Sequence, residues 1–522
     1  MAILRYSASA DTTITNAFKA GLTNRGTGSN MGYADSLEIF SIYAQTSGSS
    51  TGRSAELSRT LVQFPVSKVI SDRSAGTIPA SGSVSFYLRM FNAEHPFTLP
   101  QDFTLTVAPV SQSWVEGSGL DMDEYKDLGS ANWMQARVSA STDGGAWSKV
   151  GGDYLTASSQ QVYFQRGFED LEVDVSDTVE LWIAGVDPAF ATNYGFGVHL
   201  TASQEAYHSS STGLDGPATG VIQNTSGSTD SYYTKKFFAR SSQYFFKRPS
   251  LEARWDSRVE DDRENFFYSS SIAPATDNLN TLYLYNYIRG QLVNIPGLSG
   301  DNLSVSFYSS SATATAAGPK IVLAGGGDIA ADLDLNATAS LVSGKTGIYS
   351  CDVAITAAAG TDMLEAIHDV WHSGGVEYLT GSFYPEKFPV YDVAPTFTRV
   401  TSCKNLKKSY SPLDKARFRF FVRSRDWRPT IYTVATANNP TDIVTSASYS
   451  IVRVTDNYQA VAYGTGSDLS TYMSYDKDGS YFDLDMSLLE PDYMYEIKLS
   501  YYNDSIGDWQ EQPQTFKFRV EE

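Results

Sequence analysis

Apolar and polar residues alternate with period two along most of this chain. In "SVSFYLRMF", Val84, Phe86, Leu88 and Met90 fall on one face. "FKFRV" does the same with Phe516, Phe518 and Val520, and "YMYEIKLSYY" sets Tyr493, Tyr495, Ile497 and Leu499 against Met494, Glu496 and Lys498. Strict alternation over five or more residues predicts half-buried strands, and the Gly, Ser, Asn and Asp clusters between them predict turns. Helical periodicity is confined to short pieces, chiefly 362–371. The class expected is all-β, built of antiparallel sandwiches whose alternating faces meet over shared cores.

At 522 residues the chain exceeds the size at which one core keeps growing, so two to four domains are expected. The charge cluster at 258–264 reads as a linker or domain edge. Pro385, Pro389 and Pro395 punctuate the chain further on and disfavour continued sheet. Three segments result: 1–257, 258–392 with one short helix, and 393–522. The Ser/Gly/Thr-rich stretch "HSSSTGLDGPATGVIQNTSGSTDSYY" predicts a long exposed loop in the first. No fixed-period repeat is visible, which disfavours solenoids and propellers.

Composition narrows the partners more than the fold. Hydrophobic residues at 42% suffice for packed cores, while 19% charged is too little for a disordered chain. The net charge of −20 argues against nucleic acid and anionic membrane as partners. Two cysteines, Cys351 and Cys403, make no disulfide framework, and both are expected as free thiols. The start "MAILRYSASADTTI" lacks the apolar run of a signal peptide, and no stretch approaches the ~20 apolar residues of a membrane span.

Ordered motifs in the first 257 residues carry a resemblance. "NMGYADSLEIF", "RTLVQFPVS", "SWVEGSG", "ANWMQA", "VGGDY", "NYGFGV" and "RPSLEA" follow one another as in the DNRLRE-type β-sandwich family. The residues concerned include Asn30, Gly32, Arg59, Trp114, Glu116, Trp133, Gly151 and Asn193. The resemblance implies a jelly-roll-like module that binds or supports and does not catalyse. A long Ser/Gly loop and the Lys- and aromatic-rich "YYTKKFFARSSQYFFKR" depart from that family and fit a virion module better. The later segments are similar to β-sandwich domains of virion structural proteins from marine tailed phages. "DVWHSGGVEYLTGSF", "RFRFFVRSRDWRPTIYTVATANNP" and "LLEPDYMYEIKLSYYND" carry that likeness. The fold expected is a jelly-roll-like β-sandwich followed by two smaller immunoglobulin-like β-sandwich domains.

Several stretches invite chemistry. "HDVWH" (368–372) nearly spells a zinc-protease helix, but Asp369 stands where the general-base glutamate belongs, and no histidine follows His372 as third ligand. The reading preferred is a short connector helix with Ile367 and Trp371 turned inward. "DKDGSYFDLD" offers Asp476, Asp478, Asp483 and Asp485, yet Gly479 is misplaced for a calcium loop, and Asp-Gly between alternating runs signals a hairpin. "GGGDIAADLDLNA" lacks the spacing of a phosphate loop. The five histidines suggest no Ser-His-Asp or Cys-His arrangement. No catalytic residue, cofactor or metal is therefore expected.

One cluster stands against the acidic background. Residues 399–428 hold ten Lys or Arg and two acids. Arg417, Arg419, Arg423 and Arg425 all sit at odd positions, so a regular strand projects them to one face. They are the candidate docking residues for an acidic partner protein, against the reading of a solvated strand face. The function these readings imply is that of a non-enzymatic structural component of a tailed-phage virion, in tail, baseplate or neck, oligomeric in the particle and made in the host cytoplasm. The alternative is a carbohydrate-binding adhesin or accessory module, with a host-surface glycan as partner.

Overall fold

The computed structural model of the chain describes residues 2–48, 52–94, 100–137, 145–209, 220–268, 278–298, 302–308, 320–321, 336–342, 344–355, 366–373, 375–385, 399–425, 427, 441–464, 466, 469–503 and 507–521. It is an all-β protein of several domains built on β-sandwich sheets. The chain divides into two compact units. One comprises Ile3–Ala75 and Ala80–Arg254, and the other Trp255–Glu522 with Met1–Ala2 and Gly76–Pro79.

The N-terminal unit is a sandwich of two sheets. One has four strands, in the order Ala2–Ser7, Ser250–Trp255, Ser85–Met90 and Leu171–Asp174. The other has seven, centred on Ser36–Gly48, Gly52–Gln63, Phe196–Leu200 and Phe103–Pro109. The apolar face predicted around Phe86 is buried (Val84, Phe86, Leu88 and Met90), but Ser85 and Arg89 on the other face are buried as well, so this strand is covered on both sides and not half-buried. Two short helices that periodicity did not single out, Val66–Ser74 and Ser176–Ala184, are tied by a bidentate Arg73–Glu180 pair.

The residues behind the family resemblance act as stitches between loops. The Asn30 amide donates to the Glu116 and Ala131 carbonyls at 2.6 and 2.8 Å, and its oxygen accepts from the N–H groups of Gly32 and Gly119. Buried Arg59 holds Glu205 at 2.8 and 2.9 Å and lies 5.5 Å from the Trp133 ring. Gly151, at φ +86°, lies so close to Trp133 that a Cβ would meet the ring at 2.8 Å. The Trp114 indole donates to the Tyr194 carbonyl, and Asn193 to that of Phe64. All of these contacts close inside the unit. A fragment of residues 3–254 is therefore expected to fold alone. Circular dichroism should give a β spectrum and one cooperative transition, and an insoluble or molten fragment would show that its core is incomplete.

The second unit carries two sheet systems. Residues 280–383 contribute one antiparallel six-stranded sheet, in the order Asn280–Tyr285, Ile348–Val353, Asn336–Leu341, Asn302–Tyr308, Ile367–Ser373 and Val376–Phe383. Its core includes Leu282, Leu284, Val305, Phe307, Tyr349, Cys351, Ile367 and Trp371. Residues 399–520 form a two-sheet sandwich. Lys415–Ser424 and Gly479–Asp485 lie at the centre of its four-stranded sheet, and Met494–Asn503 is central to the six-stranded one. Tyr449 stacks on Phe482 across the core with ring centroids 3.7 Å apart. Neither cysteine is disulfide-bonded.

The structure corrects one expected element: Ile367–Ser373 is a strand, not a helix. Its partners Asn302–Tyr308 and Val376–Phe383 supply hydrogen bonds on both sides, and a sheet interior overrides a weak local helical period. The charged segment 258–264 is also more than a linker. The Val259 N–H donates to Ser474 Oγ, the Val259 carbonyl accepts from the Tyr475 N–H, and the Tyr475 hydroxyl donates to Asp262 at 2.6 Å. The second proposed boundary, at 392/393, lies outside the described residues, as do most of "GGGDIAADLDLNA" and the tip of the long Ser/Gly loop. Among the described residues no helix is long and apolar enough to cross a membrane.

Candidate cleft on the C-terminal unit

Strand register decides what the arginine row does. Lys415–Ser424 turns Phe418, Phe420 and Val422 into the core, so the odd-numbered arginines project from the other face. Arg417 stands directly across from Asp483 and grips it with two bonds of 2.7 and 2.9 Å. Arg419 reaches one strand further, to Asp476, at 2.6 and 2.8 Å. Between them lies the Tyr481 ring, 4.3 and 4.9 Å from the two guanidinium carbons. Burial pushes its phenol up to about 12. The Arg423 guanidinium donates to the Ser424 carbonyl at 3.2 Å, and Arg425 sits exposed in the turn beyond the strand. Three of the four arginines, Arg417, Arg419 and Arg423, thus share a strand face, and of these Arg417 and Arg419 are engaged by aspartates, while Arg425 lies beyond the strand end.

The acidic partners come from the stretch weighed as a calcium loop. It is the hairpin that Asp-Gly signals: Asp476 pairs with Gly479, whose φ of +116° is open to glycine. Asp476 and Asp483 spend their oxygens on arginines, and among the described residues no group of three metal-ligating side chains converges.

These groups form one wall of a cleft of about 770 Å³. Another wall is the strand Asn280–Tyr285, on which Leu282 and Leu284 face the core while Tyr283 and Tyr285 face the cleft. The two tyrosine rings lie 6.2 Å apart and 26° from parallel, and exposed Tyr287 continues the row. The Tyr285 hydroxyl is closed off from bulk water and has no hydrogen-bond partner among the described residues. Burial raises its pKa, and the neighbouring Asp261 raises it further. Asp261 and Arg263 enter from the segment 258–264, and Lys345 from a turn where its ammonium donates to the Ser257 carbonyl at 2.6 Å. Burial brings Lys345 down to about 8 and lifts Asp261 to about 7. Near neutrality Asp261 therefore holds a proton part of the time and can donate as well as accept.

The wall is braced from behind. Arg263 donates to both oxygens of fully buried Asp369, at 2.7 and 2.8 Å, and to the Tyr283 carbonyl. The Trp371 indole completes the Asp369 shell at 2.7 Å. Gly381, opposite Asp369 in the register, leaves room for this pair, because a Cβ there would approach Arg263 to 2.5 Å. The carboxylate of the near-motif is thus an anchor for the cleft. Its histidines, four residues apart on a strand, stand about 13 Å from each other. That is too far to share one ion with metal–nitrogen bonds of about 2 Å.

Ser306 Oγ lies 2.8 Å from His372 Nε2. Ser306 is buried and donates its proton to Asn336 Oδ1, so it accepts from the imidazole. A general base must instead take the serine proton, which makes this contact a cross-strand tie. The sequence singled out Arg417, Arg419, Asp476, Asp478 and Asp483 among the residues of the cleft. It missed Tyr283, Tyr285, Asp261, Arg263 and Lys345, although the alternation in "TLYLYNY" marks the tyrosine row.

No family model matches the chain, and no curated protein is similar to it. Among solved structures, trypsin-activated alpha-2-macroglobulin from Escherichia coli aligns at 10% identity and a TM-score of 0.14, over 80% of this chain and 29% of that one. A DUF4785 family protein from Legionella pneumophila aligns at 6% and 0.13, over 98% and 90%. Salmonella alpha-2-macroglobulin reacted with methylamine aligns at 10% and 0.12, over 99% and 34%. This chain spans under a third of the length of the Escherichia coli protein, and likenesses at this level carry no inference about what it does.

Proposed function

We propose that this chain is a non-enzymatic structural component of a tailed-phage virion, in the tail, baseplate or neck, working by protein–protein assembly. The observation that carries this reading is the edge strand Val376–Phe383. It pairs with Ile367–Ser373 on one side and, among the described residues, with no strand on the other. Val376, at 56% exposure, projects from it into solvent with Tyr378 and Leu379, and Glu377 is its single charged residue. Sheet edges left open are normally guarded by charge, proline or a short length. An open apolar edge is instead a template on which another chain adds a strand. Of the four candidate docking arginines, Arg423 and Arg425 enter no ion pair among the described residues and are left to meet an acidic neighbour, whereas Arg417 and Arg419 have partners within the chain.

The test is incorporation. Val376→Lys combined with Tyr378→Lys leaves folding intact, because exposed substitutions move stability by less than about 0.5 kcal/mol. The wild-type chain should appear by mass spectrometry in purified particles, and the double variant should be missing from them. Absence of the wild-type chain from particles would end the virion reading. Normal incorporation of the variant would remove the edge strand from it.

A further inference from the structure

We infer that the cleft beside Arg417 and Arg419 binds a neutral oligosaccharide. This is independent of the assembly reading, and it lies in a different part of the chain from the N-terminal module whose family resemblance first raised glycan binding. The argument begins with charge. The strongest charges in and behind the cleft are already matched: Arg417 with Asp483, Arg419 with Asp476 and Arg263 with Asp369, each in a two-bonded pair. Lys477 is paired with Asp478 at 3.1 Å. A cationic peptide would have to pull an aspartate from its arginine, and a phosphate or carboxylate would have to pull an arginine from its aspartate or settle against the Lys345 ammonium, which already donates to the Ser257 carbonyl. An uncharged ligand with many hydroxyls needs neither. It can use the guanidinium N–H groups and carboxylate lone pairs that the ion pairs leave over, because a guanidinium has five donors and a carboxylate about four acceptor positions.

The second part of the argument is shape. Pockets for small ligands are concave, with aromatic walls and a few polar groups held in place, and span about 300–1,000 Å³. At about 770 Å³ this cleft has room for a few sugar rings. Tyr283, Tyr285 and Tyr287 offer a row of aromatic faces, and Tyr481 lies on the opposite wall. The apolar C–H faces of a pyranose suit such rings, while its equatorial hydroxyls reach the polar groups at the rim. The polar groups are preorganised: register fixes the Arg417–Asp483 pair, and the Arg263–Asp369–Trp371 network holds the segment that carries Asp261. Asp261 can both donate and accept, and Tyr285 adds the face of its ring, its hydroxyl being closed off from solvent.

The experiment uses the full chain on an array of immobilised neutral gluco-, galacto- and N-acetylglucosamine oligosaccharides of two to six units. Sulfated glycans, uronic-acid glycans and lysine-rich peptides serve as the charged comparison. At least one neutral series should be retained, with retention rising with length until the cleft is filled. Tyr287→Ala removes an exposed ring, and Tyr285→Leu removes the neighbouring aromatic face while keeping an apolar side chain on the wall, so neither should unfold the unit. Each is expected to weaken binding by about threefold to tenfold, the worth of one contact. Their combination should abolish retention while leaving the thermal transition in place. The inference is overturned if no neutral oligosaccharide is retained, if only the charged probes are, or if the double variant binds as the wild type does. Particle incorporation is read out separately, so either proposal can fail without the other.

Discussion

Replacing Glu252 by glutamine is expected to cost the N-terminal unit about 3–5 kcal/mol at neutral pH, the usual penalty for removing one partner of a buried ionic cluster. Glu252 has no exposed side-chain surface and lies among three arginines. Arg5 donates to it at 2.8 Å, Arg254 at 2.6 and 3.0 Å, and Arg89 stands 3.6 Å away. Glu172 meets Arg254 and Arg89 from the other side, at 2.8 and 3.3 Å. Burial by itself would push the Glu252 carboxyl up, but Arg89, Arg5 and Arg254 together bring it down to about 2. Glutamine keeps the shape and removes the carboxylate that Arg5, Arg89 and Arg254 share, leaving Glu172 and the field of Asp170 to balance Arg89. The pH dependence follows from the sign of the shift. A carboxyl depressed in the folded state contributes stability that is present above its unfolded value of about 4.5 and is lost as pH falls from there towards 2, at about 1.4 kcal/mol per unit. Urea denaturation of wild type and Glu252→Gln should therefore differ most at pH 7 and converge near pH 2. A penalty under about 1 kcal/mol at pH 7 would show that the cluster adds little.

Asp261→Asn should have the opposite effect and stabilise the C-terminal unit above pH 7, by as much as about 3–4 kcal/mol. The Asp261 side chain is buried, and it accepts a long hydrogen bond from the Arg263 N–H, at 3.3 Å. Burial raises the carboxyl from 3.8 to about 7, and Asp262 and Asp476 add to the rise, while Arg263 opposes it with a side chain already committed to Asp369. For a group raised in the folded state, the stability contribution is complete below the unfolded value of about 3.8 and is lost as pH rises through 7. Asparagine accepts the same backbone N–H and carries no charge to bury, so its stability curve should be flatter between pH 4 and 7. Some slope will remain, since burial also raises Asp262 and Glu260. Thermal melts of both proteins at pH 5 and pH 8 decide the matter. Equal stability of the two at pH 8 would mean that water reaches Asp261 and keeps it charged at little cost.

What the sequence by itself determined is the local order. Period-two alternation puts Phe86 and Leu88, or Tyr495 and Ile497, on a buried face wherever the strand pairs, so the all-β class and many strand positions were legible. Asp-Gly at 478–479 made the hairpin legible in the same way, because glycine readily adopts the positive φ that the turn requires. The arginine face of Lys415–Ser424 also followed from parity alone. What only the tertiary structure decided is which distant segments meet. "HDVWH" has a helical spacing as well as a strand-compatible one, and two flanking strands select the second by satisfying its backbone. The charge cluster 258–264 looks like solvated chain until Ser474, Tyr475 and Asp369 are brought against it. Arg417 and Arg419 read as a free basic face for the same reason: Asp483 and Asp476 lie more than 50 residues away along the chain, yet the sheet sets Asp483 directly across from Arg417 and Asp476 one strand further on, within reach of Arg419. Alternation is a property of neighbours in sequence, whereas ion-pair partners, buried carboxyls and the walls of a cleft are set by strand register and by the packing of one sheet on another.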